Sequence, residues 1–218
     1  MLSDKLTWRY ATKHYDVTKK VFREDIRAIV ECGRMSPSSY GLEPWMFYVI
    51  SKQEIKDKIF HNGFKQPQFA ECSHMIVVCA KHKITRKDVR QYISRIAMER
   101  GVSLETLQGF KKSLMMALIL VRCSGFLKNP FAIFTEMRSW CERQTYIALG
   151  FMLAAAAERN IDSCPHEGFI PRHVAKTVNC KSGYSPIAIL TLGYRSKDDE
   201  TQHWRKVRKD YQKVVVEM

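Results

Sequence analysis

Apolar positions along the chain fall into two patterns, a helical repeat in some stretches and short continuous runs in others. In Arg23–Arg34, Ile26, Ile29, Val30 and Gly33 recur at i, i+3, i+4 and i+7. They share one face of a helix that ends before the turn cluster Ser36-Pro37-Ser38-Ser39. Trp45–Ile50 (WMFYVI) is short, aromatic and β-branched, as a strand requires. Ser51-Lys52-Gln53-Glu54 has the spacing of a capping box and predicts a helix through Ile55 and Ile59. Residues 75–80 (MIVVCA) and 186–193 (PIAILTLG) read as buried strands, and 86–100 and 103–122 as helices. Residues 142–159 are the clearest helix; their Ala-rich centre allows a second helix to approach closely, in the core or at a subunit interface. Residues 213–217 (KVVVE) read as a terminal strand that must find a sheet to join, with a second subunit as one source. Strands and helices mix without strict alternation, so the pattern predicts an α+β fold rather than a parallel α/β sheet. No repeat and no linker-like stretch divides the chain, so residues 1–218 read as one domain.

Composition narrows the class. With 45% hydrophobic and 27% charged residues, the chain excludes a disordered segment or a heptad rod. Lys and Arg number 36 against 22 Asp and Glu, a formal net charge of +14, which calls for an anionic partner. Nucleic acid, a membrane surface and phosphorylated small molecules all qualify, but the basic residues are scattered rather than blocked, and no nucleic-acid motif is present. Seven Cys, an odd number with no CxxC, argue against a disulfide framework and fit free thiols in a reducing cytoplasm. Residues 1–10 lack the apolar core of a secretory signal. The longest apolar run, 114–121, is stopped by Arg122, far short of the ~20 residues that span a membrane. No secretion and no membrane insertion are expected.

The usual motif searches return little. There is no G-x-G pair, no GxxxxGK, no G-x-S-x-G and no HExxH. Cys72, His74, Cys79 and His82 form the one cluster with metal-like spacing, but Cys79 lies inside an apolar strand, so these read as core and surface residues and no metal is expected. No nucleophile–base pair is readable from spacing, so chemistry is expected from a bound cofactor.

Three separated segments resemble the FMN-dependent nitroreductase family, in particular its oxygen-insensitive NAD(P)H nitroreductase and dihydropteridine reductase branch. Arg9-Tyr10-Ala11-Thr12-Lys13-His14-Tyr15-Asp16 is similar to the family's R-x-S-x-[RK]-x-[FY]-D. The stretch from Met35 to Trp45 (MSPSSYGLEPW) is similar to its [AS]-P-S-S-x-N-x-Q-P-W. Cys164-Pro165-His166-Glu167-Gly168-Phe169 is similar to its P-x-E/G-G-F after a long helix. Gln144 in that helix, and Lys206-Val207-Arg208 after Leu192-Gly193, stand where the branch has Gln and a basic pair. Order and spacing agree from about residue 7 to 210.

The resemblance implies a nitroreductase-like fold with a central, mostly antiparallel sheet flanked by helices, and a homodimer that exchanges its C-terminal strands (209–218 as an extension) and holds flavin at the interface. It implies bound FMN, with NAD(P)H as the electron donor. Arg9, Lys206 and Arg208 would bind the phosphate, since charge-assisted and bidentate contacts suit a dianion. Lys13 would act as a catalytic cation at the N1–O2 edge of the flavin, where positive charge favours electron uptake. Tyr10, Ala11, Pro37, Ser38, Ser39 and Gly41 would line the ring or ribityl chain, and Gln144 its polar edge. Pro165, His166, Glu167 and Gly168 would pass along the flavin face, with the Glu167 backbone N–H near N5 and Gly168 permitting a backbone that a side chain forbids. Residues 90–134 would be a variable helical excursion over the site, and Tyr40, Phe126 and Phe131 would stack on the substrate.

Some positions depart from the pattern. Gly41 and Glu43 replace the family's Asn and Gln, and Lys65 stands where a flavin-edge Asn is expected; Lys donates but does not accept. His166 replaces a common aliphatic residue. The expected activity is a ping-pong transfer from NAD(P)H through FMN to nitroaromatic, quinone or pterin-type acceptors. The departures raise an alternative, a degenerate flavin binder that NAD(P)H does not reduce.

Overall fold

A computed structural model describes the backbone of residues 1–128 and 132–218, and the side chains of all of these except 122, 124–128 and 132–135. Four strands form one sheet in the order β1-β2-β4-β3: β1 Trp45–Ile50, β2 His74–Lys81, β3 Asp162–His166 and β4 Tyr184–Gly193. Every ladder between them is antiparallel. The central strands read as continuous apolar runs because both faces of the sheet are covered. Strand periodicity sends Ile76, Val78, Ala188, Leu190 and Leu192 to one face, against α2 (Arg23–Arg34) and α7 (Ala132–Glu158). Met75, Val77, Cys79 and Ile189 go to the other, against α3 (Gln53–Asn62), α4 (Pro67–Glu71) and α8 (Pro171–Thr177). Burying each large aliphatic side chain there is worth about 1.5–3 kcal/mol.

The Ala-rich half of α7 makes the closest helix contact. Met152 is fully buried over Gly33 of α2, and a Cβ at Gly33 would lie 2.7 Å from the Met152 Cγ. A third cluster joins α5 (Arg86–Arg100) and α6 (Gln108–Lys128) to α7 through Val89, Ile93, Leu114, Leu118, Met137 and Trp140. Among the described residues, no helix is long and apolar enough to cross a membrane.

Several expectations are corrected. Ser51 does not cap α3. Its first turn closes on the Lys52 carbonyl, and the Gln53 amide reaches Asp57 and the Ala70 carbonyl instead. The real capping box is Thr85 with Asp88, at α5. The helix expected from 103 begins at Gln108, because Ser103 is spent in a local turn with Thr106. Residues 213–217 form no strand. A 3-10 turn at Tyr211–Lys213 leads into a tail with exposed Val214 and Val216, since an isolated strand has no partner for its backbone groups. Helices α1 (Leu2–Trp8), α4 and α8 and strand β3 were not expected. β3 (DSCPH) has no apolar alternation, and its Pro165 is tolerated because the strand lies at a sheet edge.

Replacing Gly33 by Ala is expected to destabilise the protein by about 1–3 kcal/mol through overpacking against Met152. Gly109, where an added Cβ would meet nothing within 4 Å, is the control: Gly109→Ala should leave stability unchanged or raise it. Denaturant midpoints of the two variants check this.

Candidate functional site

Residues 9–16 run along the outer edge of β3 and carry the first motif to the third. Ala11 bridges to Ser163, and the Tyr15 region pairs with Arg195 just beyond β4. Asp199 holds this arm. Its Oδ2 accepts from the Lys13 backbone N–H at 2.7 Å, the His14 N–H at 3.2 Å and the Tyr10 hydroxyl at 2.9 Å, while Oδ1 accepts from Thr201. Burial opposes its ionisation, but these donors outweigh it and keep the carboxyl below its ordinary pKa. Arg195 is stacked between Trp8 and Tyr10, 4.4 and 4.6 Å from their ring centres, and its Nε donates to Asp162 at 2.8 Å.

Three cations converge at the foot of the arm. The Arg9 guanidinium donates through Nη2 to the Tyr10 carbonyl at 3.0 Å and the Ser163 carbonyl at 3.3 Å, and its buried Nε has no partner. Lys206 donates to the carbonyls of Leu6 and Arg9. Burial lowers the pKa of both Arg9 and Lys206, and the positive charge of Arg208 adds to that on each. Among the described residues, none of the three forms an ion pair. Asp162 acts on Arg9 only at a distance, its ion pair being with Arg195, so three like charges gather with no salt bridge of their own, and the donor set fits a phosphate dianion. Lys13 keeps its side chain exposed, close enough to Cys164 and His166 for its charge to act on both.

The 165–168 segment leaves β3 with Pro165, Glu167 and Gly168 exposed and His166 buried. The amide of Gln66 braces it: Nε2 donates to the Gly168 carbonyl at 2.7 Å, so Oε1 faces His166 Nδ1 at 3.0 Å. That orientation requires the proton on Nδ1, leaving Nε2 to accept from the Thr191 hydroxyl at 3.1 Å. Burial, then the charge of Lys13, push the His166 pKa down to about 4, so the ring is neutral at pH 7. Tyr146 of α7 donates to the Glu167 carboxylate at 2.7 Å. Lys65, exposed at φ 53°, is the neighbour of the bracing residue rather than the brace itself.

The 37–41 loop is a separate half. The Ser39 N–H donates to Gln144 Oε1 at 2.8 Å, and the Ser38 hydroxyl accepts from the Glu43 N–H at 3.0 Å. Tyr40, Gly41 and Glu43 have φ of 58°, 69° and 46°. At Gly41 a side chain would also overlap the Tyr92 hydroxyl, so the family's Asn could not be restored without moving Tyr92. The Glu43 carboxylate is occupied by Arg95 at 3.2 Å. The loop feeds β1 at one sheet edge, whereas the 9–13 arm and 165–168 sit at the β3 edge. Three strand spacings, roughly 14 Å, separate those edges. The structure thus joins Arg9, Tyr10, Ala11, Lys13, Pro165, His166, Glu167, Gly168, Lys206 and Arg208 in one half, and Pro37, Ser38, Ser39, Tyr40, Gly41 and Gln144 in another. Two cavities, of about 570 and 480 Å³, lie along α5; the first is lined in part by Ile84, Met115 and Leu118, and the second borders the 37–43 loop through Leu42, Tyr92 and Arg95. Phe131 lies outside the described residues. Phe126 lies in α6, its side chain also outside them.

A sequence model of the nitroreductase family matches residues 6–194. The chain belongs to the nitroreductase family. A Haemophilus influenzae relative named "Putative NAD(P)H nitroreductase" is 36% identical over 220 residues, covering 95% of this chain and 91% of its own. A Bacillus subtilis relative, "Putative NAD(P)H nitroreductase YfkO", is 34% identical over 208 residues, 89% of each chain. The fold matches a nitroreductase-like protein of Streptococcus mutans with a TM-score of 0.79 at 15% identity over the whole of both chains. It also matches a structure from Exiguobacterium sibiricum, titled a putative nitroreductase in complex with FMN, with a TM-score of 0.76 at 19% identity, covering 100% of this chain and 97% of that one. The α+β architecture with an antiparallel sheet is that of the family, and its members support an oxidoreductase.

Sequence reasoning missed Asp199, Gln66, Thr191 and Tyr146. Each acts by holding another residue, and none stands in a recognisable motif. A buried neutral His166 costs stability in acid. Its folded pKa, about 4, lies below the ordinary 6.5, so the unfolded chain takes up the proton first and stability falls as pH drops from about 6.5 to 4. The loss is expected to approach about 3 kcal/mol, and His166→Leu should flatten the pH dependence across that window. Unfolding midpoints between pH 7 and 4.5 check this.

Proposed function

We propose that the protein is an FMN-dependent NAD(P)H oxidoreductase that works as a homodimer, with each flavin held between the two half-sites contributed by different protomers. The observation that carries this reading is the convergence of Arg9, Lys206 and Arg208 with no salt bridge to any of them among the described residues, and with a buried unpaired donor on Arg9. Arg9, Lys206 and Arg208 bind the phosphate. Lys13 carries positive charge to the ring edge, and residues 165–168 lie along the ring with their backbone fixed by Gln66. Bound FMN supplies two-electron hydride acceptance and donation. The chain's own contribution is positioning and electrostatic complementarity rather than an obligatory acid or base.

The dimer reading rests on two surfaces. The 37–41 loop leads into β1 at one sheet edge and the cations gather at the β3 edge, so on this reading the loop and Gln144 serve the flavin of the partner subunit. Helix α7 leaves Tyr146, Ile147 and Phe151 exposed around Gly150, an apolar face suited to a second copy. The tail from Trp204 to Met218, with exposed Trp204, Val207, Tyr211, Val214 and Val216, is the segment expected to reach across and gain a sheet partner. With FMN bound, NAD(P)H would be the electron donor and a nitroaromatic, quinone or pterin-type compound the acceptor in a ping-pong exchange, and exposed Tyr40 would border the acceptor. The excess positive charge draws both anionic nucleotides in. Free thiols fit a cytoplasmic setting. The departures at Gly41 and Glu43 are absorbed by Tyr92 and Arg95 of α5, which favours a working reductase over a degenerate flavin binder.

The purified protein is expected to show flavin absorption that bleaches on anaerobic addition of NADH or NADPH, and to sediment as a dimer. A flavin spectrum unchanged by either nucleotide would support the degenerate binder instead. Lys13→Ala should slow the bleaching about tenfold or more while retaining flavin, as loss of one charge-assisted contact predicts. Stopped-flow absorbance checks this.

A further inference from the structure

Of the seven cysteines, two touch. Cys79 lies in the interior of β2 with no exposed surface, and Cys180 is half-buried in the turn between α8 and β4. Their sulfurs are 3.8 Å apart. Among the described residues, no other thiols are in mutual contact. The pair is far apart in sequence and lies outside the flavin half-sites.

Local structure explains why they meet and why they have room to move. The β2–β4 register shifts between Val78 and Cys79, so that Val78 faces Ala188 while Cys79 faces Pro186. Pro186 has no N–H to give the ladder, and the bulge, which leaves Ile187 of β4 unpaired, interrupts the ladder opposite Cys79. On the other side, Asn179 adopts φ 49° and ends α8, presenting Cys180 inward. Cys180 also lies 3.6 Å from the Tyr184 carbonyl and beside the Tyr48 hydroxyl, which accepts from the Lys181 N–H at 2.8 Å. A disulfide needs its sulfurs at ~2.05 Å, so closing the gap takes roughly 1.8 Å of combined movement, within reach of small side-chain rotations on a strand opposite a bulge and on a turn. Burial raises the thiol pKa of Cys79, so the partly exposed Cys180 is the one that meets an oxidant first.

We propose that Cys180 and Cys79 are a peroxide-responsive modification site, an attacking and a resolving thiol that close a reversible intramolecular disulfide between β2 and the α8–β4 turn. In the first step the Cys180 thiolate attacks one oxygen of a hydroperoxide. The O–O bond breaks, an alcohol or water leaves, and the sulfur becomes a sulfenic acid, two electrons having passed to the peroxide. In the second, the Cys79 sulfur attacks that of Cys180, the S–O bond breaks, and the departing hydroxide takes the Cys79 proton as water. A dithiol reductant reverses the change. The bond ties the end of α8, the helix that follows the 165–168 segment, to the sheet centre.

The test is stoichiometric hydrogen peroxide added to the dimer carrying Cys123→Ser, which removes the exposed thiol that could cross-link molecules. The expected result is a loss of two titratable thiols per chain after denaturation, a 2 Da decrease in mass without dimer cross-linking, and one linked peptide containing Cys79 and Cys180, all reversed by dithiothreitol. The oxidised form should unfold several degrees higher, since the bond closes a long loop. Cys180→Ser should abolish the loss, and Cys79→Ala should leave Cys180 as a trappable sulfenic acid. Sulfinic acid at Cys180 with Cys79 still free, or a linked peptide between other cysteines, overturns the proposal. Because the peptide map is read on both native residues, it decides the matter even if Cys79→Ala fails to fold.

Discussion

The site depends on one carboxylate. Asp199, from the segment after β4, gathers the backbone N–H groups of Lys13 and His14 and the Tyr10 hydroxyl, and so fixes the N-terminal arm on the edge of β3. Arg9, Lys13, Ser163 and His166 become neighbours because of it. Arg195, clasped by Trp8, Tyr10 and Asp162, repeats the constraint a turn away. Removing the Asp199 carboxylate would leave its backbone and hydroxyl donors unpaired in a partly buried place, a cost of about 1–3 kcal/mol for each truly buried group. The cation cluster therefore stands on an anionic scaffold that lies behind it, and its own face is left free for an anion.

The second constraint is topological. A sheet ordered β1-β2-β4-β3 puts the two halves of the flavin motif at opposite edges. Each edge presents exposed backbone and small side chains rather than a closed pocket of its own. In the proposed dimer a second copy of the chain would remove the difficulty, covering the apolar strip on α7 and the exposed C-terminal tail.

Much of this was legible in the sequence. The central strands and α2, α5 and α7 follow from periodicity, because burial on one or both faces writes itself into the apolar pattern. The motif residues could be placed because their order along the chain matches a family. Positioning residues were invisible. Asp199 sits in an unremarkable polar run, and Gln66 beside Lys65 differs from a surface amide only by what it touches. The short β3 is specified by its neighbours, not by its own composition, and the 213–217 run has strand composition but no partner within one chain. Ser51 shows the converse error, a valid cap signature overridden by where the preceding strand ends.

The most direct measurement of the central claim is calorimetric titration of the flavin-free dimer with FMN and with riboflavin, which differ by the phosphate alone. The account predicts that FMN binds at least a hundredfold more tightly than riboflavin, and that Arg9→Ala with Arg208→Ala removes most of that difference while riboflavin affinity is unchanged, each lost charge-assisted contact being worth about 1.5–3 kcal/mol. Equal affinity for the two flavins, or discrimination that survives the double substitution, would contradict the assignment of the cation cluster to the phosphate.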